Sequence, residues 1–128
     1  MSCASLNELF ELKNKNEKTI AKKASVSFYY AKDILEGRFI LGEEIISKYP
    51  YYSFYYARDI IKGRFELGEK AISTSSIYSY GYAREIIKNR FVLGEETIKK
   101  NKEYAYRYCK YMEELLSPDE YILFKLEF

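Results

Sequence analysis

Apolar positions along this chain follow two nested periods. Across residues 50–62, Ser53, Phe54, Ala57, Ile60 and Ile61 fall at i, i+1, i+4, i+7 and i+8, one contiguous stripe, while Tyr51, Tyr55, Arg58 and Lys62 lie opposite. Pro50 suits a first helical turn and Gly63 a left-handed helix end, so the spacing predicts a first helix over residues 50–62. Phe65, Gly68, Glu69 and Ile72 then share a face, with Leu67 and Ala71 beside it, which predicts a second helix over residues 65–73. Helices this short are marginal alone in water, so each needs a packed neighbour.

The longer period supplies that neighbour. The stretch from Tyr56 through Ala57, Ile60, Gly63, Arg64, Phe65 and Gly68 to Glu69 returns upstream from Tyr30 to Glu43 and downstream from Tyr82 to Glu95, and Arg38, Arg64 and Arg90 mark a spacing of 26 residues without insertions. A fixed period in the range of about 20–50 residues signals a stacked array. Small residues recur one turn apart as Ser27/Ala31, Ser53/Ala57, Ser79/Ala83 and Ala105/Cys109, which lets a neighbouring helix approach closely. Gly42, Gly68 and Gly94 fall inside the second helix, where glycine costs about 0.5–1 kcal/mol relative to alanine, so a Cβ there is expected to collide with a packed neighbour.

Both ends depart from the pattern. Residues 1–23 read as a worn leading copy, with Glu17, Ile20 and Lys22 one period before Glu43, Ile46 and Lys48 and Asn16 in place of Gly42. After Asn101, a plausible N-cap, the last copy loses its Gly-Arg-Phe turn, and Ser117-Pro118-Asp119-Glu120 opens a final helix with a capping box. The fold expected is all-α: a single domain, 1–128, forming a short right-handed α-solenoid of about three 26-residue helix-turn-helix repeats (24–101), with an N-terminal capping repeat (1–23) and a helical C-terminal cap (102–128). The apolar face of the final helix, Phe128 included, also offers a route to a homo-oligomer.

Composition narrows the chemistry. The chain has no histidine, which excludes His-based triads, His-ligated zinc and His acid–base relays. Cys3 and Cys109 form neither a disulfide framework nor a metal-ligand spacing, and Cys109 stands where the repeat has alanine, as a small buried filler. A net charge of +2, with acids and bases interspersed, names no partner by its field, and Lys99, Lys100, Lys102, Arg107 and Lys110 gather among Glu95, Glu96, Glu103 and Glu113 as a solvated face. Without a signal-peptide pattern or a long apolar run, the expected setting is cytoplasmic, with no membrane partner.

Two sets of side chains compete for a functional reading. Arg38, Arg64 and Arg90, with Glu43, Glu69 and Glu95, suit a phosphate- or carboxylate-binding groove, but identity at every turn is what stacking requires, so each arginine is expected to bridge to a carboxylate of its own or the next repeat. Tyr30, Tyr56, Tyr82 and Tyr108 likewise read as core residues with bonded hydroxyls. Tyr29, Tyr49, Tyr51, Tyr52, Tyr55 and Arg107 belong to columns where the copies disagree or to the loop before the second unit, and are the candidate partner-binding residues. The acidic groups repeat with the scaffold, so no catalytic, cofactor or metal residue is assigned and the chain is read as no enzyme.

The Tyr-Ala-x-x-Ile-x-x-Gly-Arg-Phe-x-x-Gly-Glu unit resembles helical-repeat proteins encoded by bacteriophages and some large DNA viruses, over residues 24–100, with Asn89 where the other copies have glycine. The resemblance implies a phage or viral accessory protein in the host cytoplasm that binds a host or defence factor, and implies no catalytic residue. The function expected is a non-enzymatic protein–protein interaction module. A nucleic-acid-binding repeat protein and a self-assembling structural protein are the alternatives.

Overall fold

The computed structural model describes residues 6–128, so Cys3 lies outside the described residues. It is an all-α, solenoid-like stack of short helices, with no strand among the described residues. α1 (Leu6–Ile20) leads into three matching units: α2 (Ala24–Tyr29) with α3 (Glu43–Ile46), α4 (Pro50–Tyr55) with α5 (Glu69–Ile72), and α6 (Ser76–Gly81) with α7 (Glu95–Lys99). α8 (Lys102–Leu115) and α9 (Pro118–Glu127) close the stack.

Each first helix occupies about the expected span but changes pitch halfway. α2, α4 and α6 continue as π-helix over Tyr30–Leu35, Tyr56–Ile61 and Tyr82–Ile87. The carbonyls of Ala31, Ala57 and Ala83 then accept from the N–H six residues on, at Gly37, Gly63 and Asn89. The expected second helix likewise divides, into a 3₁₀ turn at Glu66–Gly68 and the α-helix Glu69–Ile72.

The left-handed residue is not Gly63. It is Lys62, at φ 60°, matched by Glu36 and Lys88, while no glycine among the described residues has positive φ. The left-handed conformation falls one residue before Gly63, so that position needs no positive φ, which explains why Asn89 stands at the matching place. A left-handed non-glycine residue costs about 1–2 kcal/mol, so Lys62→Gly is expected to raise stability by about 0.5–1 kcal/mol after glycine's own entropy is deducted. Gly63→Ala is expected to be neutral or mildly stabilising, because the nearest atom to the added Cβ is Ile61 Cγ2 at 3.9 Å. Urea midpoints of the two variants check both.

Packing repeats with the sequence. Phe39/Ile46, Phe65/Ile72 and Phe91/Ile98 are buried at matched positions, and the small residues sit between units as expected. The Ser53 hydroxyl donates to the Ile46 carbonyl of the preceding unit at 3.0 Å, while a Cβ on Gly68 would stand 2.7 Å from Ser53 Cβ. Stacking is what buries the aromatic columns: Tyr56, Tyr82 and Tyr108 are fully buried, whereas Tyr30, at the leading end, is only half-buried and Ile34 is exposed.

Each end is bonded to the unit beside it. α1 supplies Glu17, which accepts from the Tyr30 hydroxyl at 2.7 Å, and Ile20, whose carbonyl accepts from Ser27 at 3.0 Å. At the other end Asn101 caps α8, Ser117 and Glu120 form the capping box of α9, and Phe124 and Phe128 stack with Tyr108.

Candidate functional site

The repeated polar residues form a relay. Arg38 donates twice to Glu43 of its own unit, at 2.8 Å through both Nε and Nη2, and Glu43 also accepts from the Tyr56 hydroxyl of the next unit at 2.6 Å. Tyr56 in turn accepts from the Phe39 N–H at 2.9 Å. The same four-membered link recurs at Arg64, Glu69, Tyr82 and Phe65 and at Arg90, Glu95, Tyr108 and Phe91. The arginine therefore bridges within a repeat, and the tyrosine carries the link to the next one. Asp33, Asp59 and Glu85 take no part in it: Asp59 holds Arg58 instead, at 2.8 Å.

The electrostatics match the geometry. Burial pushes Glu69 up, but hydrogen bonds from Arg64 and Tyr82 outweigh it, so the carboxyl sits below its ordinary value; Glu43 and Glu95 behave alike. Burial, reinforced by the neighbouring carboxylate, holds Tyr56, Tyr82 and Tyr108 far above the ordinary phenol range. The buried Glu and Tyr members are fully engaged, whereas Arg38 and Arg64 keep Nη1 outside the relay and line a hollow of about 270 Å³, and Arg90 gives its Nη1 to Glu127 at 2.7 Å.

The residues that differ between copies make a surface of their own. Tyr51 lies at the centre of a ring cluster, with centroids 5.0 Å from Tyr52, 4.7 Å from Tyr55 and 6.1 Å from Tyr78. Tyr49 joins through Tyr52 at 6.2 Å, and Tyr29 through Phe28, which contacts Tyr52 at 5.7 Å. Rings meet mostly edge to face, the arrangement aromatic quadrupoles favour. Tyr29, Tyr49 and Tyr51 remain 47%, 48% and 44% exposed, and Arg58 covers the Tyr55 ring at 4.6 Å.

Local sequence explains how they converge. Tyr51, Tyr52 and Tyr55 occupy one side of α4, Tyr49 is its N-cap residue, and Tyr78 arrives from α6 because it stands one period after Tyr52. That register was the available signal for Tyr78, a residue that the comparison of individual columns passed over. Phe28 to Tyr52, Phe54 to Tyr78 and Tyr80 to Tyr104 are then one contact repeated at each junction. Two hollows flank the cluster: one of about 560 Å³ lined by Ile20, Val26, Tyr29 and Ile34, and one of about 320 Å³ lined by Lys22, Lys23, Ile45, Tyr49 and Tyr52.

Arg107 does not join this surface. It pairs with Glu103 at 2.7 Å, lies over Tyr104 at 5.4 Å, and lines a separate cleft on α8. Cys109 is half-buried rather than buried, with burial raising its thiol and Lys125 Nζ 4.0 Å from the sulfur. Among the described residues no group of three or more acidic or cysteine side chains is placed to hold a metal ion, and no helix is long and apolar enough to cross a membrane. No protein-family model, curated protein or solved structure matches the chain.

Proposed function

We propose that the chain is a non-enzymatic protein-interaction module whose working surface is the tyrosine cluster of α4 with Tyr29, Tyr49 and Tyr78. The observation that carries this reading is the junction of six tyrosines into one partly exposed surface, at positions the stacking does not require to be tyrosine. Tyrosine loses little rotamer freedom on binding, offers a broad apolar ring and ends in a hydrogen-bonding hydroxyl, which is why it concentrates at interfaces. The scaffold holds these rings in a fixed array, so little ordering remains to oppose association. In keeping with the viral resemblance, the partner proposed is a host or defence factor, inhibited by occlusion.

The test is affinity capture from host cells with the native chain and with Tyr51→Ser/Tyr55→Ser in parallel. A partner that depends on this surface is expected to be lost from the double variant, with binding about 30-fold weaker or more for a pair of hot-spot residues. Tyr51 is exposed but Tyr55 packs against the core, so the double variant is expected to lose some stability, and circular dichroism confirms that it is folded at the capture temperature. A partner retained by the double variant, or recovery of nucleic acid alone, would contradict the proposal.

Self-association is a second reading, favoured by Ile122, Leu123 and Leu126 standing exposed together on α9. Light scattering decides it: a concentration-dependent dimer that Leu123→Lys abolishes supports it, and a monomer at every concentration removes it.

A further inference from the structure

The cleft that receives Arg107 breaks the charge pattern of the array. In each full unit the cation on the outer side of the first helix is followed by an acid, as Lys32-Asp33, Arg58-Asp59 and Arg84-Glu85, and Arg58 is neutralised by its own Asp59 at 2.8 Å. One period later the pair is Lys110-Tyr111, so the acid is replaced by an aromatic ring. Arg84 and Lys110 form no ion pair among the described residues, and both line a cleft of about 230 Å³ together with Arg107. Tyr80, Tyr106 and Tyr111 complete the wall, and Glu114 is its one carboxylate. Tyr106 is 65% exposed, with Lys110 Nζ 6.0 Å from its ring centre.

We infer that this cleft, between the third unit and α8, binds single-stranded nucleic acid, with phosphates held by the unpaired Arg84 and Lys110 and a base stacked on Tyr106, while Arg107 stays with Glu103. Three cations facing three tyrosines is the composition that suits a chain alternating charged phosphates with planar bases. Unpaired cations can release counterions on binding, whereas Arg58 in its pair cannot, which is why the site falls here and not in the second unit. Glu114 adds an acceptor for the exocyclic amine of a base, a group that the phosphate of a phosphopeptide lacks. The site is separate from the tyrosine cluster of α4 and does not depend on its role.

The experiment is fluorescence anisotropy with a labelled oligocytidylate of about ten nucleotides, whose bases carry the exocyclic amine and whose length is within the range of single-strand sites. Raising salt from about 50 to about 200 mM is expected to weaken binding by about 7-fold, the response for two phosphates on a single strand. Arg84→Gln/Lys110→Gln should bind at least about tenfold more weakly and Arg84→Lys/Lys110→Arg nearly as well as the native chain, as expected for phosphate contacts by point charges. Tyr51→Ser/Tyr55→Ser should bind like the native chain. Absence of binding by the native chain at low salt, equal binding by the glutamine variant, or tighter binding of a phosphotyrosyl peptide than of the oligonucleotide would each overturn the inference. Circular dichroism of the glutamine variant confirms that a loss is not unfolding, since Arg84 and Lys110 are both exposed.

Discussion

Gly68→Val is expected to lower stability by about 3 kcal/mol, read as a fall in the urea midpoint with little change in slope. Even the first added carbon would stand 2.6 Å from Phe65 Cδ2, 2.6 Å from Ser53 Oγ and 2.7 Å from Ser53 Cβ, far inside contact distance. Neither neighbour can withdraw cheaply. Phe65 is buried, and Ser53 is tied by its hydroxyl to the Ile46 carbonyl of the preceding unit, so relief loosens the α4–α5 packing within the unit and the junction with the preceding one together. Ser53→Gly should recover part of the loss in the double variant, because it removes two of the three contacts, and additive losses would mean that the helices do not interlock at this point.

Alkaline pH should unfold the protein steeply. Tyr56, Tyr82 and Tyr108 are buried beside carboxylates and titrate far above the ordinary phenol value of 10.0. A folded-state value raised above the unfolded one gives stability that is fully present below pH 10 and is lost as pH rises towards the folded value. Each of the three removes about 1.4 kcal/mol per pH unit in that window, about 4 kcal/mol together. Against a total of about 5–15 kcal/mol, about one to four units suffice to unfold the chain. Circular dichroism across the alkaline range should show one cooperative loss above pH 10, and Tyr82→Phe should reduce the steepness by about a third. On the acid side the sign reverses: Glu43, Glu69 and Glu95 lie below their ordinary value of 4.5, so their contribution is present above that pH and fades as pH falls through the lower folded values.

The periodicity of Ser53, Phe54, Ala57, Gly68 and Ile72 was enough to read the architecture, because each residue faces the same neighbour in every unit. Helix ends were less legible. The π turn at Tyr56–Ile61 leaves no mark distinguishable from an α-helical pattern, and it moves the left-handed residue from Gly63 to Lys62. Local sequence led to the expectation that Arg64 bridges to a carboxylate and that the Tyr82 hydroxyl is bonded, but not that Glu69 joins the two, since Tyr82 reaches Glu69 only across a junction. Repetition is also an imperfect guide to burial. Leu41, Leu67 and Leu93 are identical in all three units and nevertheless exposed, so identity at each turn does not by itself place a residue in the core. For the tyrosine surface, Tyr29 and Tyr55 could be singled out by disagreement between copies and Tyr49, Tyr51 and Tyr52 by their crowding at the start of the second unit, whereas their junction with Tyr78 needed the stacking geometry.

The central claim is that the repeated polar residues lock one unit to the next, leaving recognition to the residues that vary. A double-mutant cycle between Glu69 and Tyr82, which belong to adjacent units and meet at 2.6 Å, tests it most directly. Glu69→Ala strands the Tyr82 hydroxyl and Tyr82→Phe strands the Phe65 N–H, so each change is expected to cost about 1–3 kcal/mol. Once either is gone the other has less to lose, and unfolding in urea is expected to give a coupling of about 1 kcal/mol or more. Strictly additive losses, with no coupling across the junction, would contradict the account.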